Sequence, residues 1–130
     1  MTALTVKTAL ETGLVAISTG FQTAWENVKF TPVTGIPFQR VNTLFAEPDN
    51  PALGSSSYRE LGIFQVSLFY PLNAGSLDAL TRAQLIRDTF RRGQKFGSVV
   101  IKNTPTISTG IINEDRYIVT IKARFFQDSI

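Results

Sequence analysis

The chain has 130 residues, a net charge of +3, and neither histidine nor cysteine. That length fits one domain spanning 1–130, large enough to bury a core without a metal or disulfide staple. Lacking His and Cys, the chain cannot build the common catalytic triads, zinc sites or thiol nucleophiles.

The first apolar stripe is Val6, Leu10, Leu14, Ile17 and Phe21. Its spacing predicts a helix over about Ala3 to Thr19, with Gly20 as C-cap. Thr8-Ala9-Leu10-Glu11 has the form of a capping box. Gly13 weakens the helix by about 1 kcal/mol relative to Ala, so packing must hold it. Thr23 to Pro37 reads as irregular, with Trp25 anchoring it to the core. Phe38 to Glu47 reads as a strand, with Val41 and Phe45 on one face and Arg40 and Asn42 on the other. Leu44 and Phe45 make this strand more apolar than an exposed one needs, and both a core and a subunit contact would account for that. Glu47 to Ser57 carries the Pro, Asn, Gly and Ser signals of a long loop.

Tyr58 to Tyr70 alternates most clearly, with Phe64, Val66, Leu68 and Tyr70 on one face, and Pro71 ends it. Ser76 is the expected cap of a second helix, Leu77 to Arg92, whose core stripe is Ala79, Ala83, Ile86 and Phe90, closed by Gly93. A short apolar run at 98–102 and an extended piece from Thr106 to Ile112 follow. Asn113-Glu114-Asp115 turns the chain into a last strand, Arg116 to Phe126. There Tyr117, Val119, Ile121 and Phe125 share one face, and Thr120, Lys122 and Arg124 the other. The expected fold class is α+β: a mainly antiparallel sheet with two amphipathic helices packed on one face. No apolar run approaches the ~20 residues of a membrane span, and the N-terminus lacks the pattern of a signal peptide. Cytoplasmic synthesis is the expectation.

The strongest charge feature is Arg82, Arg87, Arg91, Arg92 and Lys95. It reads either as an anionic contact or as a solvated helix face with cations near the negative end of the macrodipole. Lys122 and Arg124 line a cavity on one reading and keep a sheet face wet on the other. Glu47 with Asp49, and Glu114 with Asp115, lack the spaced oxygen series of a calcium loop and read as turn residues. No phosphate loop is present. No metal or cofactor is expected, and no pair of carboxylates is spaced for acid–base work.

Several segments together resemble the tail-terminator proteins of long-tailed phages. They include Thr23-Ala24-Trp25-Glu26-Asn27-Val28, Gln39-Arg40-Val41-Asn42, Ala46-Glu47-Pro48-Asp49-Asn50-Pro51, Gly62-Ile63-Phe64-Gln65-Val66, Tyr70-Pro71-Leu72, Arg92-Gly93 and Asp115-Arg116-Tyr117. The resemblance implies a non-catalytic virion protein that forms a ring, typically a hexamer. Such a ring caps the head-proximal end of the tail tube, ends its polymerisation and joins the head connector. The implied partners are further copies of the chain, the tube protein, a connector or neck protein, and DNA that passes without specific binding. Tyr58, Arg59, Phe69, Arg91 and Arg92 are the candidate interface residues. Arg87, Lys122 and Arg124 are the candidates for the lumen or an anionic contact. Another neck or head-completion adaptor, or a small nucleic-acid-binding domain, are the competing readings. Steep salt dependence of DNA affinity would mark the last.

Overall fold

The structure is a computed structural model that describes residues 2–50 and 58–129. Among the described residues, two helices and eight strands follow one another as α1 (Thr2–Val15), β1 (Gln22–Ala24), β2 (Phe38–Phe45), β3 (Tyr58–Pro71), α2 (Leu77–Thr89), β4 (Lys95–Phe96), β5 (Val99–Ile101), β6 (Thr106–Ile107), β7 (Ile111–Asn113) and β8 (Arg116–Ser129). The strands form one sheet in the order β1-β2-β3-β8-β5-β4, with β6 and β7 also paired to β8. Every pairing is antiparallel except β1 with β2. The chain is an α+β fold.

The long hairpin-like pair β3–β8 is the spine, in register from Tyr58↔Ser129 to Pro71↔Arg116. Because side chains alternate along a strand, this register sorts residues onto two faces. Val41, Val66 and Ile121 lie in one row, and Thr43, Phe64 and Ala123 in the next. All of these but Thr43 join Val6, Leu10 and Leu14 of α1 and Ala79, Ala83 and Ile86 of α2 in a single hydrophobic core. The expected stripes of both helices and the alternation of β3 and β8 are therefore the residues that make the core. Each fully buried Phe or Leu contributes about 1.5–3 kcal/mol.

Aromatic contacts tie the layers together. Phe90 lies 5.2 Å from Phe64 and 4.8 Å from Phe96, centroid to centroid. A Cβ on Gly13 would come within 2.6 Å of the Phe96 ring. The helix-weakening glycine is thus the gap that seats Phe96 against α1. At the far end of the sheet, Gly62 lies between Phe45 and Phe125 in register. A Cβ there would overlap the Leu44 carbonyl and sit 2.6 Å from the Phe125 ring, whose edge meets Phe45 at 6.2 Å.

Several sequence expectations are corrected. α1 begins at Thr2, so Thr8 lies inside the helix and forms no capping box. It ends at Val15, not Thr19, because the chain turns through Ile17 N–H to Leu14 and Ser18 N–H to Val15, while Ser18 Oγ donates to the Leu14 carbonyl. Gly20, at φ 76°, belongs to the next turn. Ser76 precedes α2 but makes no side-chain cap. α2 ends at Thr89, with Phe90 as its C-cap, so Arg91 and Arg92 lie beyond the helix and only Arg87 gains from its dipole. The stretch read as irregular contains β1, parallel to β2. Glu26 accepts a hydrogen bond from the Thr43 N–H at 2.9 Å, which caps the edge of β2 beyond β1. β2 stops at Phe45 and β8 runs on to Ser129. Residues 51–57 of the expected loop lie outside the described residues; on either side of them, Asp49 and Arg59 exchange two backbone hydrogen bonds of 2.9 and 2.7 Å.

Candidate functional site

The second face of the central sheet carries Arg40, Asn42 and Leu44 on β2, Ile63, Gln65 and Ser67 on β3, and Thr120, Lys122 and Arg124 on β8. Register sets them in rows: Arg40–Ser67–Thr120, Asn42–Gln65–Lys122 and Leu44–Ile63–Arg124. Ser67 and Thr120 hydroxyls approach to 3.4 Å. Arg40, Lys122 and Arg124 are exposed. The backbone N–H of Lys102 bonds the Arg124 carbonyl at 2.8 Å, which brings a further cation to the end of this face. Among the described residues, none of Lys102, Lys122 or Arg124 pairs with a carboxylate. The face is a wet, cationic surface with apolar residues at one end. Beside Arg124, a cleft of about 180 Å³ is lined by Leu61, Ile63, Phe125, Ala46, Lys102 and Arg124.

Arg82, part of the cationic cluster by sequence, is removed from it by the structure. Its guanidinium donates to the Ile17 carbonyl at 2.6 Å, to Ser18 Oγ at 2.9 Å and to Gln39 Oε1 at 3.1 Å, and lies 4.4 Å from the Phe21 ring. Burial lowers its pKa. Gln39, fully buried, spends its amide N–H groups on Ser18 Oγ and Thr23 Oγ1. Arg82 is thus a pin joining α2 to the end of α1 and to β2. Arg87 also turns to the backbone, donating to the Pro105 carbonyl at 3.1 Å. It is half-buried on α2.

The five candidate interface residues do not form one patch. Tyr58 and Phe69 sit near opposite ends of β3, a separation of roughly 36 Å at strand rise. Arg59 is occupied: it pairs with Asp128 at 2.7 Å and lies 4.3 Å from the Phe126 ring. That guanidinium holds the Asp128 carboxyl below its ordinary value, so the clasp is present above the usual carboxylate range and is lost as pH falls through the lowered pKa. Phe69 stacks on Phe38 with centroids 4.6 Å apart. Arg91 and Arg92 are exposed in the turn after α2.

Alternation in the sequence missed one feature. The β7–β8 hairpin ends in Glu114 and Asp115 and leaves Ile111 59% and Ile112 71% exposed. Ile112 pairs with Tyr117 on the core-facing side, so its exposure means that the hairpin tip overhangs the core. At its root, Arg116 is buried and donates to the Ile36 and Val33 carbonyls at 2.9 Å each, which fixes the loop before β2 beneath the hairpin.

Among the described residues, these surfaces offer exposed aliphatics at two ends and, on an open face, cations without an ion-pair partner. The family comparison decides the context. A model of phage tail terminator proteins matches residues 5–125. The chain belongs to the phage tail-terminator family. It is a structural protein of the phage tail, of a family that is not enzymatic, and its place is the virion tail, in contact with other tail and neck proteins. Among eight matching solved chains, one described without a function superposes with a TM-score of 0.78 at 22% identity, covering 100% of this terminator and 97% of its own length. That likeness establishes the fold alone. No functionally curated protein matches the chain.

Proposed function

We propose that this tail terminator acts as one domain that closes into a ring, a hexamer, at the head-proximal end of the tail tube. There it removes the surface on which the tube grows and presents another to the head connector. Family membership carries the reading. The exposed Ile111, Ile112, Leu44 and Phe45 support it, because a monomer has no use for aliphatic and aromatic side chains clustered at both ends of its sheet. Both helices lie on the core-bearing face in this reading, which leaves the cationic face open to the rest of the particle. Assembly takes place in the host cytoplasm. DNA crosses the ring without a specific site, as tight binding would obstruct its passage.

Within the ring, Tyr58, Arg59, Phe69, Arg91 and Arg92 are the proposed subunit or partner contacts, with Arg59 acting through its stack on Phe126. Lys122 and Arg124, joined by Arg40, form the proposed anionic contact, and Arg87 contributes least because its guanidinium is held by Pro105. A closed set of head-to-tail contacts requires two different surfaces on each copy. Native mass spectrometry over a concentration series tests the ring. A discrete species of about six chain masses is the expected result. A monomer at every concentration that also fails to bind purified tail tubes would contradict the reading.

A further inference from the structure

We propose that the ring contact is made by the β7–β8 hairpin tip of one copy entering the cleft beside Arg124 on the next. The inference rests on the ring reading and names the surfaces that would close it. The tip offers Ile112, 71% exposed, followed closely by Glu114 and Asp115. The cleft offers the complement, an apolar wall of Leu61 and Ile63 rimmed by Lys102 and Arg124. Leu44, 48% exposed, lies in the same row as Ile63 and Arg124 and extends the apolar wall. Neither the tip carboxylates nor the rim cations have an ion-pair partner among the described residues.

The two surfaces cannot satisfy each other within one copy. Asp115 precedes β8 and Arg124 lies well along it, which places them roughly 30 Å apart at strand rise. The tip must therefore meet a second copy, and a contact between unlike surfaces propagates head to tail until rotation closes it. The cleft volume of about 180 Å³ is below the roughly 300–1,000 Å³ of small-molecule sites and suits a single aliphatic anchor. A nucleic-acid backbone is the poorer occupant, because it has no apolar group to cover the wall formed by Leu61 and Ile63. The aliphatic anchor gives affinity and the charged rim gives register.

Charge exchange tests the contact. Glu114→Lys with Asp115→Lys, and separately Lys102→Glu with Arg124→Glu, are each expected to weaken self-association by about tenfold or more. All four substitutions in one chain restore the attraction with its sign reversed, and so does mixing the two double variants. The chain has no cysteine, so a second measurement is clean: Ile112→Cys and Ile63→Cys chains, mixed and mildly oxidised, give a covalent dimer, whereas neither alone does. Rings that persist in both charge variants without that crosslink overturn this contact and leave the ring intact. Loss of binding to a double-stranded DNA probe in the Lys102/Arg124 variant, with assembly unchanged, overturns it in favour of a nucleic-acid surface. A monomer at every concentration, with no crosslink and no binding to tail tubes, overturns the ring reading and the contact together.

Discussion

Phe90→Ala is expected to lower the unfolding free energy by about 3–5 kcal/mol. Phe90 is fully buried at the C-cap of α2, where its ring bridges Phe64 on β3 and Phe96 on β4. Phe96 in turn fills the gap above Gly13 on α1. Truncation therefore opens a cavity at the meeting point of both helices and the sheet, and the rigid rings around it cannot collapse to fill it. Domains carry only about 5–15 kcal/mol in total, so the loss removes a large share of the stability. Phe90→Leu, which keeps most of the volume, should cost less than half as much. Urea denaturation of the three proteins, followed by far-ultraviolet circular dichroism, measures both differences.

Arg82→Met is expected to cost about 2–3 kcal/mol. The methionine keeps much of the aliphatic stem and its contact with Phe21, so the loss isolates the guanidinium. Without it, Gln39 Oε1 is buried with no donor, and the Ile17 carbonyl at the frayed end of α1 loses its partner. The cost comes from stranded acceptors more than from a lost attraction. Gln39→Leu added to Arg82→Met should therefore cost less than the sum of the two single changes, with a coupling of about 1 kcal/mol. Strict additivity in a double-mutant cycle would show that Arg82 acts independently of Gln39. An Arg82 that contacted anions outside the chain would behave differently again, with stability unchanged and only assembly affected.

Arg82 also shows where sequence reading stops. On a helical wheel it borders the polar side of α2, beside the core residues Ala79, Ala83 and Ile86, and it groups naturally with Arg87, Arg91 and Arg92. Its acceptors come from Ile17, Ser18 and Gln39, far away in the chain, and no local pattern predicts them. The same long-range network explains the early end of α1. Ile17 and Phe21 continue the apolar spacing, but the Ile17 carbonyl and Ser18 Oγ are recruited by Arg82 and Gln39, so the chain leaves the helix while keeping those side chains against the core. β1 was illegible for a related reason: three residues between turn signals become a strand only because Phe38–Arg40 lies alongside.

What local patterning does specify is the sheet and its two faces. The alternation of β3 and β8 places Phe64, Val66, Leu68, Val119 and Ile121 in the core and Lys122 and Arg124 on the open face, as their sequence period requires. Half of the proposed assembly surface is thus readable in advance. The other half is not, because Ile111 and Ile112 have the composition of buried strand residues. Their exposure follows from where the hairpin ends relative to the core, a tertiary fact.

The most direct test of the central claim is the length of tail tubes polymerised from purified tube protein with increasing amounts of this terminator, measured by negative-stain electron microscopy. A capping ring predicts that mean length falls as terminator is added, with the extra density confined to one end of each tube. Tubes of unchanged length, or terminator scattered along their sides, would contradict it.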